Sequence, residues 1–280
     1  MRFIKDLVFD FRQGILRSGT LLLVPAVIAA VTFFDFYAKA RRYLEQGMIQ
    51  STVDYGDYWF YLYGGMCEYI PSPDNPFQFP AVWILIFLVL PFIILNYPFR
   101  DMYGVGQQIL VRSGRRSLWW LSKCCWNFCG TVLYHLIIQA AGLVLSLVFE
   151  VEISNRIHMD FINLVFNIRY QEVWNPSSLP VAALLLPVLV SAAINMLQMT
   201  VSLFIRPMFG FFSVAVLLLA SAYLLSPLLI GNYAMAFRYD WVLKAGVSME
   251  AGMRIAVILL LLAALTGLVR FWLYDILESE

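Results

Sequence analysis

The sequence predicts an all-α polytopic membrane protein with six transmembrane helices, and three observations carry that prediction. Apolar residues make up 61% of the 280 and charged residues only 13%, with a mean hydropathy of +0.76, far from the composition of a soluble domain. Six stretches are long and apolar enough to cross a bilayer, which takes about 20 residues. Between the second and third lies a short basic segment, Arg100 to Lys123, carrying Arg112, Arg115, Arg116 and the pair Trp119–Trp120. The net charge of +1 argues against a nucleic-acid partner, which calls for a clustered basic surface. The chain reads as one transmembrane domain over residues 1–280.

The first element is an amphipathic helix over residues 1–16. Phe3, Ile4, Leu7, Val8, Phe11 and Ile15 recur at helical spacing, while Arg2, Lys5, Asp6, Asp10 and Arg12 fall elsewhere around the axis. Such a helix lies along the cytoplasmic membrane surface or packs on protein; the sequence supports both. The spans follow at Gly19–Tyr37, Pro80–Phe99, Phe128–Phe149, Leu179–Ile205, Phe209–Ile230 and Met253–Tyr274. Ala38-Lys39-Ala40 after the first resembles a signal-peptidase site, but a patterned helix precedes it, so it reads as a retained span.

Lys and Arg near the span ends set the orientation. Eleven of the nineteen lie on the side of the N-terminus and the basic connection, in dense clusters, against eight on the other. Both termini and the connection are therefore expected in the cytoplasm, with the protein multi-pass in the plasma membrane. Two outer loops are long. Lys39–Phe79 carries Tyr55, Tyr58, Trp59, Phe60, Tyr61 and Tyr63 before a proline-rich stretch, a composition expected to lie against the outer leaflet. Glu150–Ser178 closes on a Trp174-Asn175-Pro176 turn.

Buried polar groups in spans are costly unless paired. Ser191, Asn195, Gln198 and Ser202 fall in one narrow stripe of the fourth span; Asn127, Thr131, His135, Gln139 and Ser146 form a broader one in the third. We read both as helix-to-helix glue, each bond contributing roughly 0.6–2 kcal/mol. The other reading is a polar path for a solute. The second and fifth spans are aromatic and proline-kinked around Trp83, Phe87, Pro91 and Phe92, and around Phe211, Phe212, Tyr223 and Pro227. They contact lipid or line a greasy path for amphipathic cargo. Cys124, Cys125 and Cys129 sit together near one membrane face and Cys67 stands alone in a different loop. All read as packing thiols, since a metal on the three would need a fourth ligand and His135 is too deep to be an easy one.

The connection after the second span runs Asp101-x-x-Gly104-x-Gly106-Gln107-Gln108-x-Leu110-x-Arg112-Ser113-Gly114-Arg115-Arg116-x-x-Trp119-Trp120-x-Ser122-Lys123. A short helix ending at Ser113-Gly114 is expected, then a second helix anchored at the membrane interface by the two tryptophans. Gly104-x-Gly106 is no dinucleotide fingerprint, and no P-loop occurs in the sequence. With the amphipathic start, six spans and long first outer loop, this run resembles the membrane subunit of type-2 ABC exporters, whose ATPase is a separate polypeptide. The Gly231-Asn232-Tyr233-x-Met235 and Phe271-x-x-x-Asp275-Ile276-Leu277 segments resemble the same family.

The resemblance implies a homo- or heterodimer of permeases in membrane lipid above two ATPase subunits, which would bind the ATP and magnesium; this chain would have no cofactor and no catalytic residue of its own. A coupling helix over about 103–113 would seat in the ATPase, with Tyr103, Gln107, Leu110, Arg112, Ser113, Arg115 and Arg116 as coupling residues. A hydrophobic or amphipathic substrate would pass near Phe87, Phe92, Phe212 and Tyr223. The family also leaves open a non-transporting sensor or immunity subunit. A membrane enzyme is disfavoured because the two histidines, His135 and His158 near Asp160, carry no catalytic motif. A secondary carrier would show broken helices and membrane-embedded charges, which the sequence does not display.

Overall fold

The computed structural model describes residues 2–72, 76–104, 106, 116–167 and 173–273. Ten α-helices occur among them: α1 Arg2–Asp10, α2 Gly19–Glu45, α3 Tyr55–Tyr63, α4 Ala81–Ile94, α5 Tyr97–Met102, α6 Arg116–Val148, α7 Met159–Phe166, α8 Val181–Phe204, α9 Pro207–Tyr223 and α10 Met249–Leu273. A π-helix, Phe11–Leu16, continues α1, and 3-10 turns occupy Ile230–Ala234 and Ala236–Arg238. Five stretches are long and apolar enough to cross a membrane: α2, Ala81–Met102 (α4 with α5), α6, α8 and α10. This is an all-α polytopic membrane protein.

The helices follow from local rules. In Ala81–Met102 the helix breaks at Leu95-Asn96 and resumes with Pro98 in its first turn, because proline has no N–H to continue the ladder. The bundle is centred on α8, which packs on α6, α9 and α10. In α8, 61% of the apolar window is buried, against 22% in α10, so α8 is the shared inner wall and α10 a peripheral one. α2 lies along α6.

The fifth predicted span is where sequence and structure part. Instead of one helix over Phe209–Ile230, α9 stops at Tyr223 and the backbone turns extended at Leu224. The cause is Arg238, fully buried in the following segment. Its guanidinium donates to the carbonyls of Ser221, Ala222 (2.7 Å) and Leu224 (3.1 Å) and, across the fold, to Met66 (3.1 Å) and Cys67 (3.3 Å). A cation on the open carbonyls of a C-terminus satisfies them and complements the helix dipole. Burial lowers the Arg238 pKa only to about 10, so the cap is charged at neutral pH. At 17 residues, α9 is about 26 Å long.

The first outer loop is also corrected. α3 does not lie on a leaflet surface: Tyr58 through Tyr63 are all buried within the protein, against α2, α4, α6 and α7. Each tyrosine brings a hydroxyl that finds a partner. Tyr55 reaches the Gln139 side chain, Tyr58 donates to the Ala29 carbonyl (3.0 Å), Tyr61 meets Asp35 and Lys39 (2.9 Å), and Tyr63 meets His135 Nδ1 (2.9 Å). Tyrosine is suited to this, with an apolar body and a polar tip. Asp57, fully buried, accepts N–H bonds from Asp54 (2.9 Å) and His158 (2.7 Å) at the start of α3.

Candidate functional site

At the end of the bundle where the basic connection emerges, three elements meet on one buried lysine. Lys123, two turns into α6, is 1% exposed. Its ammonium bonds Asp10, the last residue of α1, and Asp101 of α5 at 2.7 Å. Asp10 also accepts from the Tyr97 hydroxyl (2.9 Å) and from Ser122. Asp101 accepts from the Trp119 indole (2.9 Å). The ammonium lies 4.8 Å from the Tyr97 ring centre and 5.1 Å from that of Trp119. One cation thus serves two carboxylates, which also accept from hydroxyl and indole donors. Ions this deep are held only with such full hydrogen bonding.

Two glycines admit the arrangement. A Cβ on Gly14 of the π-helix would stand 2.3 Å from Trp126 Nε1 and 2.8 Å from the Tyr97 ring. The bare backbone therefore lets the N-terminal segment press on the tilted Tyr97–Trp126 ring pair, centres 4.4 Å apart. A Cβ on Gly106 would stand 2.4 Å from the Asp101 carboxylate, which is the structural use of the Gly104-x-Gly106 run. π-Helical turns are often found at functional sites.

The tryptophan pair corrects another expectation. Neither ring is open to lipid or water as an interfacial anchor would be: Trp119 is 2% exposed and Trp120 is fully buried. Trp120 donates to the Ala264 carbonyl (2.8 Å) and stacks on Phe271, in a groove where Gly267 has no side chain to obstruct it. The pair fastens the start of α6 to α10. Lys123 is a buried charge within the membrane-length helix α6, ahead of the predicted third span that begins at Phe128. Sequence reasoning missed the triad, because Asp10 reads there as one more charge off the apolar face of the N-terminal helix. α1 combines both readings of the N-terminus, with Asp10, Gly14 and Ile15 turned to protein while Ile4, Val8 and Leu16 are exposed.

Of the predicted coupling residues, Tyr103 is exposed beside Phe99 (5.1 Å between ring centres) and Arg116 begins α6. Gln107, Leu110, Arg112, Ser113 and Arg115 lie outside the described residues, as does the closing Asp275-Ile276-Leu277 run. The polar stripes do join helices. Asn127 donates to the Asn195 carbonyl (3.1 Å), Asn195 to Thr131 (3.1 Å), and Gln198 to the Pro91 carbonyl (3.0 Å). The side-chain oxygens of Asn127, Asn195 and Gln198 have no partner and border a cavity of about 10 Å³, at the lower limit for one water. His135 and Gln139 leave this group and face α3 through Tyr63 and Tyr55.

The predicted substrate-path residues divide. Phe87 is buried among Tyr63, Trp83 and His135. Phe92 (61% exposed) and Phe212 (66%) lie on the outer face of α4 and α9, and Tyr223 packs on Tyr69 and Phe77. His158 pairs with Asp57 (Nδ1 to Oδ2, 2.7 Å) rather than with Asp160, and the neighbouring Ser154 hydroxyl is turned to Asp54. The pair therefore caps α3 and has no nucleophile on it. All four cysteines are free thiols, and burial raises Cys67 to about 12.

A family model described as "Protein of unknown function (DUF2705)" matches residues 47–277. No curated protein and no solved structure matches the chain.

Proposed function

The chain belongs to the DUF2705 family, and from that premise we propose that it is the membrane permease subunit of an ATP-driven ABC exporter. One observation carries this reading. The Lys123 triad clamps the N-terminal segment, α5 and α6 around the point where the basic connection leaves the bundle. A connection held this way acts as a lever, because a push on it must move three elements as one body. Alternation between two packings of rigid bodies is how such pushes become transport.

In this proposal two copies of the permease, or this chain and a different one, sit above two ATPase subunits, with both termini in the cytoplasm of a plasma-membrane protein. Residues 103–113 form the coupling helix, and α9 with the segment after it completes a sixth span. A hydrophobic or amphipathic substrate passes along α4 and α9, where Phe92 and Phe212 are exposed. ATP and magnesium belong to the partner.

The test coexpresses this chain with a candidate partner ATPase, sought first as a reading frame adjacent to its gene. Arg112→Glu or Leu110→Ala is expected to abolish copurification with it and to remove stimulated ATP hydrolysis, while the bundle stays folded. Retention of both in both variants, or absence of ATP-driven uptake into inverted vesicles holding the complete assembly, would sink the proposal.

A further inference from the structure

Beside the Lys123 triad opens a cavity of about 650 Å³ between the N-terminal segment and the α4–α5 bend. Its rim carries Arg17 and Arg100, both exposed. Neither guanidinium has a carboxylate partner among the described residues; Arg17 bonds the Gln13 amide oxygen (3.2 Å). Ser18 and Thr20, 3.0 Å apart, add hydroxyls. Deeper on the wall is Trp126, 1% exposed, whose buried indole N–H has no acceptor among the described residues. An orphaned buried donor calls for an unseen partner. The one carboxylate on the lining, Asp101, is engaged by Lys123 and Trp119. Beside the Asn96 amide and the paired hydroxyls, which can donate or accept, the charged groups left on this rim are cations, suited to an acceptor-rich anion.

The lower wall changes character. Leu21, Ile93 and Ile94 line it, and they belong to the membrane-length helices α2 and Ala81–Met102. A small soluble anion has no use for that apolar floor. We propose that this cavity binds an anionic phospholipid, its headgroup phosphate between Arg17 and Arg100 and its acyl chain along Leu21 and Ile93. The assignment stands apart from the exporter reading and requires only that the chain be membrane-embedded.

Native mass spectrometry of the full chain in mild detergent, titrated with phosphatidylglycerol, phosphatidylcholine or inorganic phosphate, tests it. Two arginine contacts predict about thirtyfold tighter binding of phosphatidylglycerol than of phosphatidylcholine. Arg17→Gln with Arg100→Gln should abolish that preference, and Trp126→Phe should weaken phosphatidylglycerol severalfold. Arg17→Lys with Arg100→Lys should keep most of it, and Arg156→Gln, on a distant loop, should change nothing. Should the double glutamine variant fold poorly, Arg100→Gln alone, on an exposed side chain, reads the same preference. Equal binding of the two lipids, or an unaltered preference in the arginine-to-glutamine variants, overturns the proposal. So does displacement of bound lipid by millimolar inorganic phosphate, which would make the cavity a soluble-phosphate site.

Discussion

The two ends of this bundle solve the same problem with different chemistry. Both pull polar groups out of water to fasten helices. At the connection end the fasteners are formal charges, with Lys123 between Asp10 and Asp101. At the opposite end the α3 phenols reach carbonyls, amides and His135. The charges there are dispersed: Asp57 accepts backbone N–H bonds, Asp35 and Lys39 share Tyr61, and the deep cation Arg238 is spent largely on backbone carbonyls. Neutral hydrogen bonds fail one at a time and cheaply, whereas an ion triad fails as a unit when any member is lost. The α3 end is thus built as a scaffold and the Lys123 end as an interlock.

The largest expected effect breaks the interlock. Lys123→Ala leaves two buried carboxylates facing each other and should cost about 3–5 kcal/mol, seen as a lowered thermal midpoint in detergent. Adding Asp10→Asn and Asp101→Asn to that variant should recover much of the loss; no recovery would mean that packing, not charge, is decisive there. Next comes Arg238→Met, which keeps an unbranched apolar stem but removes the guanidinium that caps α9 and should cost about 1.5–3 kcal/mol, with faster amide exchange over Ser221–Leu224. Tyr58→Phe at the scaffold end removes the hydroxyl shared by the Ala29 carbonyl and Thr32, about 0.5–1.5 kcal/mol for each neutral bond, and a loss as large as that of Lys123→Ala would erase the contrast. Asn195→Ala should be smaller, about 0.6 kcal/mol.

The smallest effect is chemical. Burial holds the Cys67 thiol up at about 12, so folded protein should show almost no maleimide labelling at Cys67 near neutral pH. Unfolding restores an ordinary thiol, nearer 8.5, and labelling should then climb with pH through the range where the thiolate forms. Prompt labelling of the folded protein at neutral pH would contradict the burial described for that end.

Hydropathy made the long helices legible because each residue contributes to it locally. The stripe Ser191, Asn195, Gln198 and Ser202 was legible because 3.6-residue spacing places it on one face. The Lys123 triad was not, since its members are scattered along the chain and each, alone, looks like a topology signal or a solvated charge. The aromatic run of α3 has one composition for two destinations, membrane interface and protein core, and tyrosine serves both. A signal did exist there: Asp54 and Asp57 stand three apart before an apolar run, the spacing of a helix start. The early end of α9 depends on Arg238, well beyond it in sequence, and no local rule contains that residue.

A bilayer has to accommodate the clipped helix Pro207–Tyr223 wherever it meets lipid. Its roughly 26 Å falls a few ångströms short of an average hydrocarbon layer of about 30 Å. Under the six-span reading, acyl chains beside it must compress, giving the protein a dimpled collar on that flank. Reconstitution into progressively shorter-chain lipids should then raise its thermal midpoint until the dimple is relieved.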